Sequence, residues 1–312
     1  MSRLSKMSAL INNLGEGGIL VADGAMGTML IQKGLKAGEC PEKVNLENPG
    51  LLQEIASEYV NAGAEIIQTN TFGASPHKLA LYDLEDRTEE INIAAIKAAR
   101  KASAGRASVA ASCGPCGRLL EPYGDALWDA VRAGFERQMK ALASEGIDMI
   151  CVETMTDLNE AKLAVIAAKS LLPSTPVCAM MTFDITPRGI FTIMGVSVEQ
   201  AAKGLAEAGA DIIGSNCGNG IENMIIVAQE FKRHSRLPII IRPNAGLPSL
   251  EGEVLVYQET PAFMAEKCEE LLTMGVSIIG GCCGTTPEHI AAIRKIVDQF
   301  RRKSTESGHQ PD

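Results

Sequence analysis

Two adjacent thiols near the end of the chain, Cys282 and Cys283, stand in a setting suited to chemistry. They follow the apolar run Val276-Ser-Ile-Ile and the pair Gly280-Gly281, and they precede Gly284-Thr-Thr-Pro-Glu-His289. The run reads as a buried strand, and the two glycines let the backbone approach something closely. Thr286 reads as a helix N-cap with Pro287 at the first helical position. Thiols held beside a helix N-terminus feel its partial positive charge, which favours the thiolate. Adjacent thiols among glycines pack nothing well, so the small-hydrophobe role expected of Cys151, Cys178 and Cys268 does not suit them. A tetrahedral metal needs further ligands, which the rest of the chain must supply.

The elements that position these thiols follow one repeating plan. Apolar runs ending in small or polar residues occur at 18–23, 64–70, 107–113, 148–154, 177–183, 211–217, 238–244 and 276–282. Amphipathic stretches follow them at 51–62, 89–102, 127–145, 159–171, 198–208, 221–234, 260–274 and 287–302. Strands buried on both faces and alternating with helices form a parallel sheet. Eight such units predict a single-domain (β/α)8 TIM barrel, whose usual size is about 250 residues. A doubly wound sheet is the alternative, but no G-x-G-x-x-G follows the first strand. Residues 1–14 are expected to carry a helix, over 4–14, that caps the barrel. Residues 15–302 form the barrel itself, and 303–312 read as a disordered tail.

Chemistry in such barrels sits at the C-terminal ends of the strands. The residues predicted there are Asp23, Asn70, Cys113, Glu153, Asp184, Cys217, Asn244, Cys282 and Cys283. Cys217 lies in the glycine-rich turn Gly214-Ser-Asn-Cys-Gly-Asn-Gly220. One strand separates its strand from that of the vicinal pair, which is close enough for three thiolates to hold one metal. Three protein ligands with an open fourth position is the pattern of a catalytic zinc. An iron–sulfur cluster is the other all-sulfur choice, but no fourth cysteine in a C-x2-C-x2-C run accompanies the set.

Asp23 precedes Gly24-Ala-Met-Gly27, a loop whose amides could meet a ligand or form an ordinary Asx turn. Glu153 falls inside a buried strand and needs a cationic partner, either a substrate ammonium or a neighbouring lysine or arginine. Arg242 is similarly placed and is expected to pair with an acidic neighbour. The four histidines show no metal spacing, and His289 is assigned only to the first turn of a helix.

Cys113-Gly-Pro-Cys116 has the spacing of a thioredoxin motif, which makes a thiol–disulfide oxidoreductase the competing function. Its neighbourhood reads instead as the third of eight parallel units, and no tryptophan precedes the first cysteine.

Composition narrows the classes. Net charge is −9 without a basic cluster, which argues against nucleic acid or an anionic membrane as partner. No apolar run approaches the roughly 20 residues of a membrane span. The N-terminus lacks a signal-peptide pattern, and nine cysteines in an odd set fit a reducing compartment, so a cytoplasmic location is expected.

The combination Asp23-Gly-Ala-Met-Gly-Thr28, Thr69-Asn-Thr-Phe-Gly73, Asn216-Cys217, Pro243-Asn-Ala-Gly246 and Gly280-Gly-Cys-Cys-Gly-Thr-Thr-Pro-Glu-His289 resembles the homocysteine S-methyltransferase family. It is most similar to the homocysteine-binding module of cobalamin-dependent methionine synthase and covers roughly 15–300. The resemblance implies a Zn2+ ion on Cys217, Cys282 and Cys283, with L-homocysteine taking the open position. It also implies that Asp23 and Glu153 contact the substrate ammonium, with the amides of Gly24, Ala25, Met26 and Gly27 nearby. Asn216 and Asn244 would shape the pocket. The thiols flanking the Gly-Pro at 114–115 depart from the family pattern. The methyl donor would be a methylated corrinoid (methylcobalamin) protein, or else a small donor such as betaine or S-methylmethionine.

Overall fold

Each apolar run is long enough for one buried strand and too short for a core helix, and each becomes a strand. In the computed structural model, which describes residues 11–306 except 37, 252 and 253, they form one parallel sheet. Its strands are β1 (Leu20–Val21), β2 (Ile66–Gln68), β3 (Ser108–Cys113), β4 (Met149–Met155), β5 (Val177–Met181), β8 (Ile212–Asn216), β9 (Ile239–Arg242) and β12 (Ile278–Ile279). The spatial order is β1-β12-β9-β8-β5-β4-β3-β2, and a parallel bridge from Ala22 to Ile66 joins the two ends. The molecule is a single-domain (β/α)8 barrel.

The remaining strands form two antiparallel hairpins that the sequence reading did not anticipate. β6 (Asp184–Thr186) pairs with β7 (Gly189–Phe191), and β10 (Pro248–Glu251) pairs with β11 (Val254–Tyr257). Both are inserted where the chain leaves the C-terminal end of a barrel strand, so both border the active face.

The outer helices match the amphipathic stretches to within a few residues, from Pro49–Asn61 through Pro261–Thr273. Their starts are fixed locally: Ser197 and Gln200 form a reciprocal capping box, and Asn48, Asp157 and Thr260 each accept from a first-turn amide. At the last helix, Pro287–Glu306, His289 Nδ1 accepts from the amide of Thr286 at 3.1 Å, so this histidine does capping work.

Alternate strand residues face inward and fill the lumen with Ala22, Ile66, Ala110, Met149, Cys151, Cys178, Met180, Ile212, Ile240 and Ile278. Leu14, from a helical turn at 11–15, is buried against this cluster, with Ile11 packed beside it. Burying one such leucine stabilises by about 1.5–3 kcal/mol. The rest of the expected N-terminal helix lies outside the described residues. The final helix runs to Glu306, past the 302 boundary expected for the barrel; 307–312 lie outside the described residues.

Candidate metal centre and substrate pocket

The three cysteines predicted to converge do so. The sulfurs of Cys217, Cys282 and Cys283 all lie within 4.8 Å of one another, and Cys217 Sγ is 3.9 Å from Cys283 Sγ. Three sulfurs on a tetrahedral zinc with bonds of about 2.3 Å would be separated by about 3.8 Å, so the trio fits that ion.

Backbone geometry brings them there. Cys217 follows β8 with φ +62°, a left-handed conformation that turns the chain across the barrel mouth, and its amide donates to Arg242 O at 3.2 Å. Cys282 N donates to Pro243 O at 2.7 Å, and Ala245 N to Cys283 O at 2.9 Å. The turn between β12 and the last helix is therefore stitched to the exit of β9. Gly280 is required there: a Cβ would lie 2.9 Å from Asp23 O and 2.8 Å from Ala22 Cβ. Without a metal, hydrogen bonds from Cys282 and Cys283 hold the Cys217 thiol down at about 3, and the same sharing raises the other two. The trio thus favours one thiolate, on Cys217, stabilised by its two neighbours.

Beside the sulfurs lies a buried ionic group. Arg242, at the end of β9, is 3% exposed and donates through Nη2 to Asp23 Oδ1 at 2.8 Å. Its Nη1 is 3.7 Å from Glu153 Oε2. Asp23 Oδ2 accepts from the amide of Gln68 at 2.6 Å, and the side chain of Gln68 donates to Glu153 Oε1 at 2.8 Å. Ser112 Oγ also donates to Glu153 Oε1. Burial pushes the Glu153 carboxyl up to about 7, against the pull of Arg242 and Ser112; burial raises Asp23 as well. Sequence reading expected a cation for Glu153 and an acid for Arg242, and missed that one guanidinium serves both carboxylates. Gln68 and Ser112 carried no signal beyond their place at inward-facing strand ends.

Asn216 is fully buried and held between Thr154 and the metal turn, its Nδ2 lying 3.8 Å from Cys282 Sγ. Asn244 is also buried, a hydrogen bond links it to Cys217, and its Oδ1 has no partner. In the loop after Asp23, the amide of Ala25 donates to Thr285 Oγ1 at 3.2 Å, and Tyr59 Oη donates to Ala25 O at 2.8 Å. Met26 and Gly27 lead directly into the helix Gly27–Gln32. Tyr257, from β11, was not foreseen: it is hydrogen-bonded to Cys283, and burial followed by the nearby thiols pushes its phenol up to about 12.

Other rim residues do not join this group. Asn70 donates to Asn45 Oδ1 at 2.8 Å and to Pro41 O at 2.7 Å, which ties down the β2 exit loop. Asp184 is exposed on β6. Cys113 is fully buried with its thiol 3.4 Å from Gln138 Oε1, and the amide of Cys116 donates to Glu160 Oε1 at 2.7 Å. Burial raises both thiols, Cys116 to about 12, the opposite of what a redox nucleophile needs.

The structure is a barrel with a thiol cluster and buried carboxylates at its C-terminal mouth, and comparison with known proteins gives the family. Residues 20–297 match the family model for homocysteine S-methyltransferase. Methionine synthase of Mycobacterium tuberculosis is 31% identical over 310 residues, 94% of this chain but 26% of that protein. Methionine synthase of Mycobacterium leprae is 30% identical, covering 89% and 24% respectively. The chain thus spans about a quarter of the length of these relatives. The homocysteine methyltransferase MmuM from Escherichia coli superposes with TM-scores of 0.74 in its oxidized and 0.73 in its metallated form. Identity is 26% in each case, with 89% of this chain covered and 95% and 96% of MmuM. The chain belongs to the homocysteine S-methyltransferase family.

Proposed function

We propose that this barrel transfers a methyl group to the thiol of L-homocysteine to give methionine, with zinc held by Cys217, Cys282 and Cys283. The observation that carries this reading is the sulfur trio at tetrahedral spacing on the barrel mouth. When bound, zinc would lower the pKa of the substrate thiol, ordinarily about 8.5, so that its sulfur is a thiolate at neutral pH. Asp23 and Glu153 receive the substrate ammonium; together with Arg242 they leave one uncompensated negative charge at the pocket floor. Asn216 fixes the turn that carries Cys217, and Asn244 bounds the pocket beside it. The loop of Gly24, Ala25, Met26 and Gly27 closes the side next to Asp23, although the Ala25 amide is already engaged by Thr285.

The donor in this reading is a methylated corrinoid carried by a partner protein. Exposed apolar side chains on the rim support it. Among the described residues, every large exposed hydrophobic except Ile166 and Ile226 lies in or borders a connection leaving a strand's C-terminal end. Leu119, Tyr123, Ile193, Leu247 and Leu250 are each more than half exposed there, a pattern suited to a protein partner. Similarity to methionine synthases points the same way. A small donor such as betaine or S-methylmethionine is the second reading. Among the described residues no helix is long and apolar enough to cross a membrane, and the free state of all nine thiols supports work in the cytoplasm.

The test is a donor panel. Zinc-loaded protein is offered homocysteine with methylcobalamin, a methylated corrinoid protein, betaine or S-methylmethionine, and methionine is scored. Product with the corrinoid protein supports the proposal, product with only a small donor selects the second reading, and product from metal-free protein at the loaded rate refutes the zinc role.

A further inference from the structure

Arg242 is the only lysine or arginine among the described residues that is buried, and its side chain reaches three parts of the mouth at once. Nε donates to Gly281 O at 3.0 Å, one residue before Cys282. Nη2 donates to Asp23 Oδ1 at 2.8 Å and lies 3.3 Å from Asp23 O. Nη1 faces Glu153 at 3.7 Å. A guanidinium is rigid and planar, so groups bound to its different nitrogens are fixed relative to one another. The carbonyl that leads into the metal turn and the carboxylates at the pocket floor are therefore held on one template.

Resting on the proposed function, we infer that Arg242 is a positioning residue for the amino end of the substrate, fixing Asp23 and Glu153 relative to the thiol-binding turn. Two effects follow from one side chain. Its charge lets two carboxylates be buried together while leaving one negative charge for an ammonium. Its fork sets the separation between the sulfur cluster and that charge, so the pocket measures the distance from thiol to amine. Lysine would keep the charge but gathers its three donors on one nitrogen at the end of a flexible stem, so it does not fix Gly281 and Asp23 at the spacing set by separate guanidinium nitrogens.

The experiment uses zinc-loaded wild type and Arg242→Lys. Zinc stoichiometry is measured by elemental analysis, and binding of L-homocysteine, L-cysteine and 4-sulfanylbutanoate by calorimetry. The last ligand is homocysteine without its amino group. The inference requires zinc to remain near wild-type stoichiometry, homocysteine to bind about tenfold or more weaker, and 4-sulfanylbutanoate to change less than about twofold. The preference for homocysteine over cysteine should shrink in parallel. Equal losses for all three ligands, or no loss for homocysteine, overturn it. If Arg242→Lys does not fold, Arg242→Gln replaces it in the same comparison, since a side-chain amide lacks the planar fork that reaches all three partners. Failure of the wild type to bind homocysteine would overturn the proposed function and this inference together; a wild type that binds it, with a variant that loses all three ligands equally or loses no homocysteine affinity, overturns the inference alone.

Discussion

Thr154 grips the side-chain amide of Asn216 from both sides: its backbone amide donates to Asn216 Oδ1 at 2.8 Å, and Asn216 Nδ2 donates to Thr154 Oγ1 at 2.8 Å. Thr154 holds φ +60° and Cys217 holds φ +62°, so two backbones in an uncommon conformation are locked together from β4 to β8, across the intervening β5. This clasp aims Cys217 at the vicinal pair. Asn216→Ala should destabilise the protein by about 2–3 kcal/mol, as two buried partners are left unpaired. It should also weaken zinc binding more than Asn70→Ala, whose site is remote from the metal. Denaturant unfolding and chelator competition on both variants check this.

Replacing Cys282 or Cys283 with serine should reduce bound zinc from about one per chain to near zero, because two thiolates and water do not make a tight zinc site. Circular dichroism should stay at the wild-type level, since the turn is held by backbone bonds to Pro243 and Ala245. Elemental analysis and spectra are read on the same sample.

Glu153 gives a pH prediction with a definite sign. Burial lifts its carboxyl from 4.5 to about 7 in the folded chain. The stabilisation from keeping it protonated is complete below 4.5 and fades as pH rises through about 7, so this group alone makes metal-free protein less stable on the alkaline side. Ammonium binding needs the ionised form and moves oppositely. Affinity for L-methionine, which has the ammonium but no thiol to titrate, should tighten about tenfold between roughly pH 6 and 8. Glu153→Gln should flatten that dependence in calorimetric titrations.

Cys113→Ser and Cys116→Ser should keep methyl transfer within about twofold of wild type, because neither thiol faces the sulfur cluster, while each buried serine hydroxyl lowers stability by about 1–3 kcal/mol. In metal-free protein, alkylation mapped by mass spectrometry should mark Cys217 well before either of them, as its thiol is held low while theirs are raised.

Gly214→Ala tests close strand packing. A Cβ there would lie 1.8 Å from Ile240 O, a backbone atom that cannot swing aside, so β8 and β9 would have to separate. The cost should be about 3 kcal/mol or more, with loss of zinc binding, since Cys217 follows β8 and the Cys282 turn is hydrogen-bonded to the exit of β9. Thermal unfolding and zinc retention report both.

The sequence alone determined the eight-unit alternation, the helix starts and the grouping of Cys217, Cys282 and Cys283, because period, capping residues and the rule that chemistry sits at strand C-termini are local signals. Glu153 was legible for a related reason, since a carboxylate in a buried run must find a partner; Asp23 was legible as a strand-exit residue, with its pairing to an ammonium implied only by the family resemblance. Which partner it finds is not local. Arg242 is 219 positions from Asp23, and only closure of the barrel decides that its single guanidinium meets both carboxylates and the metal turn. Asn70 and Asp184 sit at the same strand exits in the sequence yet turn away, one into its own loop and the other onto a hairpin. The hairpins themselves, and Tyr257 over Cys283, were illegible because short strands in a connection gain their pairing from neighbours rather than from their own pattern. The three thiols were therefore written in the chain, while the 3.9 Å between Cys217 and Cys283 and the meeting of Arg242 with two carboxylates were set by strand register.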